Sequence, residues 1–89
     1  MIYEIKGLRT YQTGNWVKGQ FYLYGVLITF GYNLKSHRVW YEGVADGQKC
    51  DPWYLQAKYG LDKYDLDDSI EEYVVTWWAG RQEKAEVVV

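Results

Sequence analysis

The side chains that most often carry covalent or metal chemistry are scarce in this sequence: one histidine, His37, one cysteine, Cys50, and two serines, Ser36 and Ser69. Neither serine sits in a Gly-x-Ser-x-Gly elbow, the strained turn that exposes a hydrolase nucleophile. A Cys50–His37 dyad needs a fold that joins the two, and no motif asks for one. Cys50 therefore reads as a small, partly buried residue beside a helix cap, and His37 as a strand-edge surface residue. Two such ligands are too few for a closed zinc site.

Carboxylates are denser, at Asp62, Asp65, Asp67, Asp68, Glu71 and Glu72. A calcium loop starting at Asp65 would put Ile70 where the turn glycine belongs and Thr76 where the bidentate glutamate belongs, so the run is not an EF-hand. These acids favour the start of a helix through capping and the macrodipole. They also form a candidate acidic surface, which could imitate nucleic-acid phosphate in the basic site of a partner. Neither Gly-x-x-x-x-Gly-Lys-[Ser/Thr] nor Gly-x-Gly-x-x-Gly occurs. The expectation is a binding protein with no catalytic residues, no metal and no cofactor.

Binding chemistry is better represented. Ten Tyr, five Trp and two Phe make 19% of an 89-residue chain, more rings than a thin core can hold. Basic residues Arg9, Lys18, Lys35 and Arg38 interleave with Tyr11, Trp16, Tyr22, Tyr24 and Trp40. Basic and aromatic residues on one sheet face are how several small folds bind single strands or free nucleotides, although no RNP-like motif is present. Trp40, flanked at i−2 and i+2 by Arg38 and Glu42, is the first candidate for an outward-facing functional ring. The candidate partner or ligand residues are Trp40, Arg38, Tyr22, Tyr24, Trp16 and Lys18. Charge is polarised: residues 1–50 carry 6 − 3 = +3 and residues 51–89 carry 4 − 9 = −5, giving the net −2.

The elements that must position these residues read as a single α+β domain, with a sheet over about 1–45 and a helical part over about 51–86. The sheet is expected to be small, three-stranded and largely antiparallel, with one short and one longer helix packed on one face. Its first strand is Ile2 to Thr13, kinked at Gly7 and turning at Gly14-Asn15. Phe21 to Tyr32 reads as a central strand covered at least partly on both faces, because both of its alternating sets are largely apolar. One set narrows to Gly25, Thr29 and Gly31, where a backbone or ligand could approach closely. His37 to Gly43 is the third strand, with Val39 and Tyr41 on one face and Trp40 on the other.

Asp46-Gly47 marks a turn, and Asp51-Pro52 opens a short helix that Gly60 closes. A longer helix spans about Ser69 to Ala79, opened by Asp68 with Glu71 or Ser69 with Glu72 as a capping box and stopped at Gly80. Ile70, Tyr73, Val74, Trp77 and Trp78 share its core-facing side. A strand through Tyr73 to Trp78 is the rival. Val87 to Val89 adds an edge strand or hangs free.

One cysteine excludes an intramolecular disulfide framework. The N-terminal residues show no basic-then-apolar leader, and the longest apolar stretch, Phe21 to Phe30, is too short to span a bilayer. A cytoplasmic protein with no membrane role is expected. Its partner is expected to be another protein, the chain acting as a stoichiometric inhibitor or adaptor of the kind that phages and mobile elements encode. The alternative is a nucleotide or single-stranded nucleic-acid binder that stacks bases on the sheet. A homodimer fits either reading, since a second copy could cover an apolar sheet face.

Overall fold

Three two-residue turns organise the N-terminal half of the computed structural model, which describes residues 3–87, with side chains for 3–81. Gly14 (φ 60) opens the first; Tyr24-Gly25 (φ 50 and 80) and Asp46-Gly47 (φ 52 and 76) form the others. Positive φ at both central residues is the geometry whose twist matches antiparallel strands. The strands are β1 (Arg9–Thr13), β2 (Trp16–Leu23), β3 (Val26–Asn33), β4 (Val39–Ala45) and β5 (Gln48–Cys50). They pair consecutively and antiparallel in the order β1-β2-β3-β4-β5.

The sheet therefore has five strands rather than three, for two reasons. Phe21 to Tyr32 is not one central strand: Tyr24-Gly25 folds it into a hairpin in which Leu23 pairs with Val26 and Phe21 with Ile28. The turn resets the alternation, so Phe21 is buried on the same face as Val26, Ile28, Phe30 and Tyr32, while Tyr22 and Tyr24 are exposed. The second addition is β5, which returns from Asp46-Gly47 to pair Cys50 with Gly43. The first strand is shorter than expected. Tyr3 to Leu8 lie outside it, and Gly7 gives room to the Tyr73 hydroxyl where a Cβ would sit.

Helix α1 (Pro52–Tyr59) has the anticipated ends: the Asp51 carboxylate accepts from Tyr54 N at 2.8 Å, and Gly60 takes the left-handed conformation at φ 69. Helix α2 (Lys63–Val87) is longer at both ends than Ser69 to Ala79. Asp62 Oδ1 accepts from Asp65 N at 2.9 Å and starts the helix nearly two turns before the expected capping box. Ser69 is buried instead of capping; its hydroxyl donates to Asp65 O at 2.6 Å and accepts from Tyr3 N at 2.7 Å, holding the N-terminal segment on the helix. Gly80 does not stop α2, because one glycine costs about 1 kcal/mol and the residues after it are mostly strong helix formers. Tyr73 to Trp78 is helical, not a strand. Ile70 and Val74 are buried and Trp77 is half-buried, but Trp78 stays 38% exposed and is not the core anchor expected. Of Val87 to Val89, Val87 ends α2 and the remainder lies outside the described residues.

Both helices lie on one face of the sheet. Its core row is Thr10–Gly19–Phe30–Tyr41. The Phe30 ring fills the space over Gly19, 5.7 Å from Phe21 and 6.0 Å from Tyr73 between ring centres. Leu55 of α1 closes on Gly43, and Leu66, Ile70 and Val74 of α2 complete the core.

Two core polar atoms, the Tyr41 hydroxyl and Asp67 Oδ1, have no hydrogen-bond partner among the described residues. Burial first, then the charges of Asp67 and Asp62, raises the Tyr41 pKa well above its ordinary 10.0. Folded Tyr41 thus stays neutral at a pH where the unfolded chain ionises. The stability this contributes is complete below about pH 10 and declines as pH rises beyond it. Tyr41→Phe is expected to flatten that alkaline decline. At pH 7 the change should cost under about 1 kcal/mol, because the hydroxyl it deletes is unpaired. Urea denaturation at pH 7 and pH 11 measures both; a larger loss at pH 7 would show that the hydroxyl is hydrogen-bonded.

Candidate sheet-face binding site

Among the described residues, nothing covers the face of the sheet turned away from the helices. The strand register lays its side chains out in rows. Thr13–Trp16–Asn33 is the first, Tyr11–Lys18–Gly31–Trp40 the second, Arg9–Gln20–Thr29–Glu42 the third and Tyr22–Leu27–Val44–Lys49 the fourth. The expected two-sided cover of β3 is thus found on one side only.

The middle two rows enclose a shallow pocket of about 260 Å³, lined by Arg9, Tyr11, Lys18, Gln20, Thr29 and Trp40. Trp40, 39% exposed, is seated by its neighbour: its indole leans over Gly31, occupying the place a Cβ would take. The same device serves both faces, Phe30 over Gly19 inside and Trp40 over Gly31 outside, each a ring covering a cross-strand glycine. Close approach at Gly31 is therefore made by Trp40, and Gly25 belongs to the turn. On the opposite wall the Arg9 guanidinium lies 5.2 Å from the Tyr11 ring centre, a cation–π pair. In the adjacent row, Gln20 Nε2 donates to Thr29 Oγ1 at 3.4 Å.

Of the sequence-selected residues, Trp40, Trp16, Lys18 and Tyr22 are brought together on this face. Arg38 is exposed just ahead of β4, at the edge of the same face. Tyr24 is not part of the site; it sits in the β2–β3 turn with its ring edge-on to Tyr3, 6.3 Å away. Arg9, Lys18, Arg38 and Lys49 against Glu42 give the face 4 − 1 = +3. Thr29 is one of the small residues where the sequence allows a ligand to approach, whereas Gln20 carries no such signal. Their pairing depends on the Tyr24-Gly25 hairpin, and the one available sign was a glycine inside an apolar run too long for an ordinary strand.

The acidic residues take different structural roles. Asp62 caps α2, and Asp67 pairs with Lys63 at 2.9 Å. Asp65 is half-buried in the first turn, and Asp68, Glu71 and Glu72 are exposed along α2. They lie on the helical side, so the polarity along the chain becomes a polarity across the sheet. On that side Trp53, Tyr54 and Tyr64 are also exposed. A second, more open groove of about 490 Å³ runs between Tyr3–Ile5 and α2, with Glu4, Glu72 and Trp77 in its walls. The Arg81 guanidinium lies 4.8 Å from the Trp77 ring there.

Cys50 and His37 do not meet. They sit toward opposite ends of β4, about 20 Å apart at strand rise. Cys50 is buried with Sγ donating to Gln48 O at 3.6 Å, and His37 Nδ1 pairs with the Tyr32 hydroxyl at 2.7 Å. Among the described residues, no three His, Cys, Asp or Glu side chains converge, and no helix is long and apolar enough to cross a membrane. Compared with protein-family models, curated proteins and solved structures, the chain matches none.

Proposed function

We propose that this protein is a non-enzymatic binder of single-stranded nucleic acid that lies across the outer face of the sheet. One observation carries the reading: rings and cations alternate across the uncovered rows, Tyr11 and Trp40 flanking Lys18 in one, with Arg9 beside them in the next. Rings supply stacking surfaces that tolerate any base, and cations on the same face follow the phosphates. With the acidic residues on the helical side, an anionic strand meets an attractive face and a repulsive back. A cytoplasmic location suits such a role. A homodimer formed through this face would compete with the nucleic acid, so binding should convert any dimer to a monomer complex.

The second reading, a protein inhibitor or adaptor, is favoured by a different surface. Trp53, Tyr54 and Tyr64 are 58%, 44% and 67% exposed on the helical side, near exposed acids of α2. Tyrosine and tryptophan are frequent anchors in protein interfaces, and this combination suits a basic protein partner.

Fluorescence anisotropy with labelled DNA and RNA oligonucleotides at low salt separates the two. Binding with quenched Trp emission is expected. Trp40→Ala should weaken it by about 1–3 kcal/mol, the worth of one base–ring stack, with far-UV circular dichroism confirming that the variant remains folded. Flat titrations with both polymers would discard the nucleic-acid reading. A partner recovered by pull-down and lost on Trp53→Ala, but not on Trp40→Ala, would establish the second.

A further inference from the structure

Resting on the nucleic-acid reading, we infer that the pocket at the centre of the outer face is a slot for one unpaired base, with adenine preferred. At about 260 Å³ it is smaller than a pocket for a drug-sized ligand. Its walls are the Tyr11 ring with Arg9 on one side and the Trp40 indole on the other, with Lys18 between them. A planar group entering the slot meets a ring, and its phosphate remains within reach of the two cations at the rim.

The adjacent row is polar. Gln20 Nε2 reaches Thr29 Oγ1 at 3.4 Å, beyond the 2.7–3.2 Å usual for such a bond, so a ligand can displace it at little cost. The Gln20 amide presents a donor beside an acceptor, and the Thr29 hydroxyl can do either. That pair complements the edge of an unpaired base, which single-strand binders read once the base is splayed from its neighbours. Among amide–base pairings, glutamine with adenine N6 and N7 is the established match, whereas guanine offers two acceptors at the same edge. A purine also gives the flanking rings the larger stacking surface.

The test compares dissociation constants for homopolymeric deoxyadenosine, deoxycytidine and deoxythymidine oligonucleotides with the wild type, Gln20→Ala and Thr29→Val. The wild type is expected to favour deoxyadenosine by roughly fivefold or more. Gln20→Ala should erase that preference by weakening deoxyadenosine binding more than deoxycytidine binding, and Thr29→Val, a same-shape strand former, should reduce it in part. Equal affinities of the wild type for all three would overturn the slot and leave the outer-face interface standing. A preference that survives both substitutions would also overturn it. Failure to bind any of the three overturns slot and interface together.

Discussion

Replacing Phe30 by alanine is expected to lower the stability of this domain by about 3–5 kcal/mol, the largest loss from any single core truncation here. The ring is fully buried at the centre of the sheet. It touches Phe21 in β2 and Tyr73 in α2, and it roofs Gly19, so its removal opens a cavity across three elements. Gly19 offers no relief, since a Cβ placed there would lie 2.5 Å from the Arg9 carbonyl oxygen of β1. At roughly 0.05–0.15 kcal/mol per residue, a domain of this size has about 4–13 kcal/mol in total. At the lower end of that range the alanine variant would be largely unfolded at room temperature, and at the upper end it would stay folded with reduced stability. Phe30→Leu, which keeps most of the volume, should lose less than half as much. Urea denaturation followed by far-UV circular dichroism measures both, and a loss below about 1 kcal/mol for alanine would show that the sheet–helix interface is not held by this ring.

Phe30 also shows what could be read from sequence and what could not. Its inward orientation could not be read, because both alternating sets of the Phe21 to Tyr32 run are largely apolar, whereas the outward orientation of Trp40 follows from Val39 and Tyr41 on either side of it. Helix α1 was readable at both ends, because Asp51, Pro52 and Gly60 each have a local reason to be where they are. The Tyr24-Gly25 turn was not. Tyrosine at φ 50 is a poor resident of such a turn, tolerated because the flanking strands pair strongly, so the residue types hide it inside an apolar run. That one concealed turn accounts for a missing strand, the reversed faces of Phe21 and Tyr22, and the unseen Gln20–Thr29 pair. The start of α2 was misplaced for a related reason. Asp62 and Ser69 are both sound capping residues, and only the tertiary contact from Tyr3 N to the Ser69 hydroxyl decides between them. Tyr11, Lys18 and Trp40 could be named as a basic and aromatic set, but their meeting in one row is a property of register.

The charge of the outer face allows a larger functional effect than any single ring. Arg9→Glu together with Lys18→Glu changes its net charge from +3 to 3 − 4 = −1. Placing like charges against a strand costs several kcal/mol, so affinity for single-stranded DNA should fall by about a hundredfold or more. Stability should change little, because Lys18 is only half-buried and Arg9 is exposed, with a cation–π contact to Tyr11 worth about 0.5–1 kcal/mol. Salt dependence separates this effect from stacking. If the four cations each meet a phosphate, log affinity against log salt should fall with a slope of about −3, at roughly −0.7 per contact. The double reversal should bring that slope to about half or less, whereas Trp40→Ala should weaken binding with the slope intact. A reversed variant that binds as tightly and with the same slope would move the interface off the sheet altogether. The exposed rings and carboxylates of the helical side, which repel an anionic strand, would then point to a basic protein partner instead.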